Sequence, residues 1–234
     1  MIPIGDSARR RTTPYVNVGI IIACVLVFLY ELSLSTIDVG RFFQDWGVVP
    51  VQLVDWLESP SIVEEPSTVV TSMFIHGGWL HLIGNMLFLW VFGDNVEDAM
   101  GHVRYLVFYL LAGLAATALQ VFVDQESLIP MVGASGAIAG VLGAYLVLYP
   151  RATVSVLIPW LWFFGAFPVP AAFLIVFWFL LQLLSGVASR GAAAGATEGI
   201  AFWAHVGGFI AGVVLVGYFR RQKPRRWPPT AAVW

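Results

Sequence analysis

The sequence has little charge and almost no cysteine. Only 11% of its 234 residues are charged, whereas 59% are hydrophobic and ten are tryptophan. Ordinary soluble domains carry about a quarter charged residues, so this composition excludes that class. The single cysteine, Cys24, lies inside an apolar run, which excludes an internal disulfide.

The sequence also lacks an internal repeat and a second soluble domain. What it does contain is a series of long apolar runs, and a membrane-spanning helix needs about 20 mostly apolar residues. Six spans are predicted, at about 16–34, 74–93, 104–123, 133–149, 168–186 and 200–219. The first run is too long for a cleavable signal peptide and lacks a small-residue cleavage site. An apolar stretch at 153–167 is interrupted by proline and is not counted as a span.

The basic residues indicate which side of the membrane each loop faces. With a cytoplasmic N-terminus, ten of the twelve lysines and arginines lie inside, and only Arg41 and Arg190 lie outside. The positive-inside rule predicts such an excess, and an even number of spans places both termini in the cytoplasm. We therefore expect an all-α membrane protein, a six-transmembrane-helix bundle with both termini cytoplasmic. Its parts are a cytoplasmic N-terminal segment at 1–15, a six-span domain at 16–220 and a basic cytoplasmic tail at 221–234.

Polar side chains in three of these spans lie at a similar depth. His81 and Asn85 lie in the first half of the second span, Ser135 near the start of the fourth, and His205 near the start of the sixth. All three spans begin at the outer face, so at a rise of about 1.5 Å per residue these side chains lie roughly 5–18 Å below it. Polar groups at that depth are costly unless they pair inside the bundle, which marks them as candidates for function.

Serine and histidine are the elements of nucleophilic catalysis. A serine hydroxyl becomes a good nucleophile when a neutral imidazole removes its proton, so Ser135 and His205 are the candidate catalytic dyad. No carboxylate occurs at this depth in the three spans, which argues against a triad. His81 and Asn85, four residues apart, share a helix face and are candidate donors to an oxyanion, together with backbone N–H groups near Gly133.

Small residues predict a close approach of the fourth and sixth spans. Gly136 and Gly140, and likewise Gly208 and Gly212, form the small-xxx-small pattern that lets helix backbones come together. If these two faces meet, the serine hydroxyl and the imidazole lie near enough to share a proton.

Three motifs carry these residues: HGGWLHLIGN at 76–85, GASG at 133–136 and AHVGGFIAG at 204–212. Together, in this order and at these depths, they resemble the rhomboid intramembrane serine proteases, and the similarity covers roughly 16–220. The resemblance implies a bundle around a water-filled cavity that opens to the outer face. It also implies a serine-type endopeptidase that cuts single-span membrane proteins in or near the lipid bilayer.

The same resemblance assigns roles to the candidate residues. Ser135 would be the nucleophile and His205 the general base, while His81, Asn85 and the backbone at Gly133 and Ser135 would stabilise the oxyanion. No metal, no other cofactor and no nucleic-acid partner is expected.

Other expectations also follow from the resemblance. The fifth span and the loop at 191–199 would form a mobile gate and cap, and Glu97 would be structural. The sequence departs from the family at Ala139, where some members carry an aromatic residue that packs on the catalytic histidine. We therefore expect a helix backbone or another aromatic residue to orient His205.

Three other readings stay open. A catalytically inactive relative that binds membrane clients usually lacks the serine or the histidine, whereas this chain keeps both. A transporter or channel would spread polar residues through the membrane depth, whereas here they cluster in the outer half. A zinc site from His76, His81 and His205 is disfavoured because the first two lie about 140° apart around a helix. His76 is expected at the outer membrane boundary, and the basic flanks favour a prokaryotic inner membrane.

Overall fold

The computed structural model describes residues 2–59, 67–160, 163–189 and 201–221 of the chain. The elements run in the order β1 (Ile2–Asp6), α1 (Tyr15–Glu31), α2 (Thr36–Trp46), α3 (Pro50–Glu58), α4 (Thr68–Thr71), a 3-10 turn (Ser72–Phe74), α5 (Trp79–Phe88), a π-helical turn (Leu89–Gly93), α6 (Asp94–Met100), α7 (His102–Val123), α8 (Ser135–Leu148), β2 (Thr153–Trp160), β3 (Phe163–Pro170), α9 (Ala171–Ser189) and α10 (Phe202–Phe219). The predicted cap at 191–199, and all of the predicted tail beyond residue 221, lie outside the described residues.

Among the described residues, α7, α9 and α10 are long and apolar enough to cross a membrane. A fourth candidate is the bent pair formed by Thr68–Phe74 and Trp79–Met100, whose two parts meet at 94°. The helices α1 and α8 have 17 and 14 residues. They are therefore only about 26 and 21 Å long, less than the roughly 30 Å of a hydrocarbon core. Each predicted span overlaps one of these helices, but six spans with both termini cytoplasmic stay a prediction.

The fold is mostly helical, as expected, but it is not all-α. Three strands form an antiparallel sheet in the order β1-β2-β3. The strands β2 and β3 make a hairpin that pairs Thr153 with Pro170, and β1 pairs with β2 through Ile2 and Leu157. The sheet thus takes in the described residues of the apolar stretch at 153–167, where β-branched residues favour strands and proline disfavours a helix. The N-terminal segment, expected only as a cytoplasmic flank, supplies the third strand.

The centre of the helical bundle is α8. It packs most extensively against α10 and α7, and 11 of its 14 residues are buried. Gly208 and Gly212 on α10 lie so close to Gly136 and Gly140 on α8 that a Cβ on either α10 glycine would collide with the backbone oxygen of its α8 counterpart. The small-residue contact that the sequence predicts between these two helices is therefore present.

Glu97 joins the start of α1 to α6. Its fully buried carboxylate accepts the backbone N–H of Val16 at 3.0 Å and that of Asn17 at 2.7 Å. These are donors that the first turn of a helix leaves without a partner inside the helix. His102 Nδ1 also lies 2.5 Å from this carboxylate. Glu97 thus has the contacts of a structural residue at the end of the bundle remote from Ser135.

Candidate active site

Ser135 and His205 lie in hydrogen-bond contact. Ser135 is the first residue of α8, and His205 is in the first turn of α10. His205 Nε2 lies 2.8 Å from Ser135 Oγ, an ordinary hydrogen-bond length. The tight backbone contact between α8 and α10 brings the two helix starts side by side. The structure thus brings together the two residues that the sequence suggests as a dyad.

The helix that carries Ser135 begins two residues later than the predicted span at 133–149. Gly133 has a φ of +127°, a conformation that glycine adopts easily, so the chain turns just before the serine. The first N–H groups of a helix have no partner inside the helix and carry partial positive charge. Ser135 therefore lies among backbone donors that suit a developing negative charge.

His81 and Asn85 approach the same place from α5, one helical turn apart. A Cβ placed on Gly133 would lie 2.7 Å from His81 Nε2 and 3.7 Å from Asn85 Nδ2, so both side chains lie beside the backbone that precedes Ser135. Asn85 is buried, and within the described part of the chain its Nδ2 has no hydrogen-bond partner. Two polar side chains and a helix start thus converge, and one amide donor is uncommitted.

Gly133 differs from its expected part in this arrangement. Its N–H donates to the backbone oxygen of Ser72 at 2.8 Å, so that donor is already engaged. What Gly133 contributes is the absence of a side chain, because any Cβ would meet the His81 ring. This hydrogen bond joins the turn before α8 to the 3-10 turn that begins at Ser72.

Two residues of α9 that the sequence analysis missed contact His205. Gln182 Oε1 lies 2.8 Å from His205 Nδ1, and the Trp178 ring centroid lies 5.8 Å from that of the imidazole. Residue 139 is alanine, so no aromatic ring at that position packs on His205. The Trp178 ring and the Gln182 amide, both on α9, contact the imidazole instead. A signal was available, because an amide inside an apolar span is costly without a partner.

His76, which is expected at the outer membrane boundary, is buried inside the protein. It is 1% exposed, and its backbone N–H donates to Glu31 Oε1 at 3.1 Å. Its ring lies edge-on to that of His81, with 5.2 Å between centroids. The bend of 94° between the helical segments on either side turns His76 inward. Across the described ranges, no three His, Cys, Asp or Glu side chains are grouped so that they could hold a metal ion.

A small cavity adjoins the serine. Its volume is about 30 Å³, which is room for about one water molecule. Its lining includes Ser72, Thr117, Gly133, Ser135 and Gly136. Hydroxyl-bearing and glycine residues thus line the space beside the candidate nucleophile.

Comparison with known proteins identifies the family. The rhomboid domain profile matches residues 63–222, which is more than half of the chain. The chain belongs to the rhomboid family. The sequence resemblance to rhomboids is thereby confirmed, and all five candidate site residues lie inside the matched range.

Individual rhomboid relatives match large parts of the chain. RHOMBOID-like protein 2 of Arabidopsis thaliana is 33% identical over 204 residues, which cover 86% of this chain and 57% of that protein. Rhomboid protein 1, mitochondrial, of Saccharomyces cerevisiae is 29% identical over 168 residues, covering 68% and 44%. Rhomboid-like protease 5 of Toxoplasma gondii is 32% identical over 170 residues, covering 70% and 17%. This rhomboid therefore spans less than two thirds of the length of each of these relatives.

Family membership and the long apolar helices support an integral membrane protein. The three relatives named above come from eukaryotes, and the name of the yeast protein places that protein in mitochondria. They give no support to the prokaryotic inner membrane that the sequence analysis expected.

Proposed function

We propose that this rhomboid is an intramembrane serine endopeptidase in which Ser135 is the nucleophile and His205 the general base. The observation that carries the proposal is the 2.8 Å contact between His205 Nε2 and Ser135 Oγ. A base within hydrogen-bond reach of a serine hydroxyl is what nucleophilic catalysis requires. The contact joins the first turns of two different helices, so it comes from the tertiary fold rather than from chain proximity.

The proposed chemistry follows from these positions. Ser135 Oγ attacks the scissile carbonyl carbon while His205 Nε2 takes the hydroxyl proton. The tetrahedral oxyanion is stabilised by N–H groups at the start of α8, by Asn85 Nδ2 and by His81. His205 then gives the proton to the leaving amine, and the C–N bond breaks to leave an acyl group on Ser135. Water, deprotonated by His205, hydrolyses this ester and restores the serine.

The partners that fit this chemistry are membrane proteins. The candidate site is built at the first turns of apolar helices, so a peptide bond reaches it most directly from a chain in the same bilayer. We therefore propose single-span membrane proteins as substrates and residues 16–220 as the protease domain. The flanks at 1–15 and 221–234 are proposed to lie in the cytoplasm, with six spans between them.

A serine-directed probe tests the proposal. The purified chain in detergent is incubated with a fluorophosphonate, and labelling is compared among the wild type, Ser135→Ala and His205→Ala. We expect labelling of the wild type and loss of labelling in both variants, with the melting temperature little changed. Ser33→Ala, which alters an exposed serine, is the matched control and keeps its label.

Cleavage of a single-span substrate in liposomes gives the second measurement. Both active-site variants are expected to lose cleavage, whereas Ser33→Ala keeps it. A wild type that binds the substrate but neither takes the label nor cleaves would overturn the protease and favour a client-binding protein. A variant without Ser135 or without His205 that still cleaves at the wild-type rate would overturn the dyad.

A further inference from the structure

The imidazole of His205 has a different partner on each ring nitrogen. Nε2 faces Ser135 Oγ on α8, and Nδ1 faces Gln182 Oε1 on α9, each at 2.8 Å. A chain of hydrogen bonds therefore runs from α9 through α10 to α8. In this series of hydrogen bonds, Gln182 occupies the position that a carboxylate occupies in a catalytic triad.

The Gln182 atom that faces the His205 ring indicates which ring nitrogen carries the proton. An amide oxygen accepts hydrogen bonds and cannot donate one. With Oε1 toward the ring, as in this structure, the neutral imidazole donates from Nδ1 and carries its proton there. Because neutral imidazole carries a single N–H, Nε2 is then left with a free lone pair that faces the serine. This is the only neutral tautomer in which His205 can accept the Ser135 proton.

Trp178 supports the same arrangement from one turn earlier on α9. Its ring centroid lies 5.8 Å from the His205 ring centroid, with the planes tilted by 42°. Residues four apart share a helix face, so Trp178 and Gln182 both approach the imidazole from α9. Residue 139 on α8 is alanine, so it has no ring that could pack on the imidazole.

We propose that Gln182 is a positioning residue, which holds His205 in the tautomer and orientation that let Nε2 accept the Ser135 proton. The proposal rests on the proposed function, since it assigns to Gln182 a role in that same site. Gln182 acts through His205 and touches neither the serine nor the substrate. The proposal predicts that the position of α9 affects how well His205 acts as a general base.

Three substitutions separate this role from a structural one. Gln182→Met keeps the size of the side chain but removes the acceptor. Gln182→Glu keeps an acceptor at the same place and adds a negative charge. Leu181→Met, at a neighbouring residue that is 45% exposed, is the matched control. Each variant of the full chain is compared with the wild type in melting temperature, in probe labelling and in the kcat and KM of substrate cleavage.

We expect Gln182→Met to lower kcat about ten- to a hundredfold with little change in KM, because a positioned general base contributes about 10²–10⁴-fold. We expect Gln182→Glu to restore most of kcat. The acidic limb of the pH profile of kcat for Gln182→Glu is expected to move to higher pH by about one unit or more, because a carboxylate beside the ring stabilises the imidazolium. Among the described residues, His81 on α5 is the other titratable side chain whose charge acts on His205, and it is unchanged in all three variants. Leu181→Met is expected to match the wild type.

A spectroscopic measurement does not depend on activity. With ¹⁵N-labelled histidine, and His205 assigned from a variant that lacks it, the wild type is expected to show a protonated Nδ1 and an unprotonated Nε2. Gln182→Met is expected to show a mixture of the two tautomers. A wild type without serine labelling but with this Gln182-dependent tautomer would overturn the protease and leave the positioning intact. An active wild type with kcat, pH profile and ring shifts all unaltered in Gln182→Met would overturn the role of Gln182 alone.

Discussion

Gly212 on α10 packs directly on the backbone oxygen of Gly140 on α8, with no space for a side chain between them. Gly208 meets Gly136 in the same way one turn nearer the candidate site. Helices that approach this closely fix the separation of their first turns. The 2.8 Å contact between Ser135 and His205 therefore depends on glycines that take no part in the chemistry.

Gly212→Ala is predicted to lower both stability and activity. The added methyl group would collide with the Gly140 backbone, which has no rotamer with which to give way, so the helices must separate. Overpacking of this kind costs about 1–3 kcal/mol and sometimes more. Thermal unfolding in detergent and probe labelling of Ser135 measure the two effects.

Gly217→Ala is the matched control for this change, because it lies on the same helix and none of the described residues comes within 4 Å of the new methyl group. Its melting temperature is expected to stay the same or to rise slightly, since alanine favours a helix by up to about 1 kcal/mol over glycine. Equal melting temperatures for the two variants would contradict the close-contact account.

Asn85→Ala is predicted to slow turnover while sparing the fold. Its Nδ2 has no hydrogen-bond partner in the described residues and lies beside Gly133, so the substitution removes an uncommitted donor rather than a structural bond. Loss of one oxyanion donor costs about 10²–10³-fold in kcat. Steady-state cleavage of a liposome substrate measures the change, and Ile83→Ala on the exposed side of α5 is the control. A large fall in the melting temperature of Asn85→Ala would instead make Asn85 a structural residue.

The titration of Asp6 is predicted to lower the stability of the fold as the pH rises from about 4 to about 6. Burial raises the pKa of this carboxyl from 3.8 to about 6, against the opposing effect of hydrogen bonds donated by Tyr145 and Asn95. The charge of Asp94 contributes to this increase in pKa. Below about pH 4 the carboxyl is protonated in both the folded and unfolded chains. As the pH rises toward 6 it ionises more readily in the unfolded chain, which favours unfolding, and above about 6 the loss is complete.

Asp6→Asn removes this titration, so its melting temperature is expected to depend less on pH between 4 and 6 than that of the wild type. Asp45→Asn, at an exposed aspartate, is the control and should keep the wild-type dependence. A wild type and an Asp6→Asn variant whose melting temperatures differ by the same amount at pH 4 and at pH 7 would refute the prediction.

Local patterns in the sequence predicted much of the arrangement. Apolar runs marked the positions of the long helices, and the spacing of His81 and Asn85 placed them on one face of α5. The paired glycines of α8 and α10 predicted the contact that brings Ser135 to His205. Rhomboid membership, which the motifs suggested, is confirmed by the family comparison. The roles of the site residues and the six-span topology stay predictions.

Other features could not be predicted from the sequence because they depend on contacts between distant parts of the chain. The sheet required β1, at the N-terminus, to pair with β2 more than a hundred residues later. The engagement of the Gly133 N–H by Ser72 and the inward turn of His76 depend on a bend that no periodicity records.

The sequence by itself determined the membrane character, the positions of the apolar helices and the chemical types at the candidate site, because composition and helical periodicity act over a few neighbouring residues. Only the tertiary structure decided which partner each polar atom takes. The amide of Gln182 is one polar group within an apolar run until α9 packs beside α10 and brings it to His205 Nδ1. Hydrogen bonding inside a bundle is directional and short-ranged, so it is set by how the helices pack against one another.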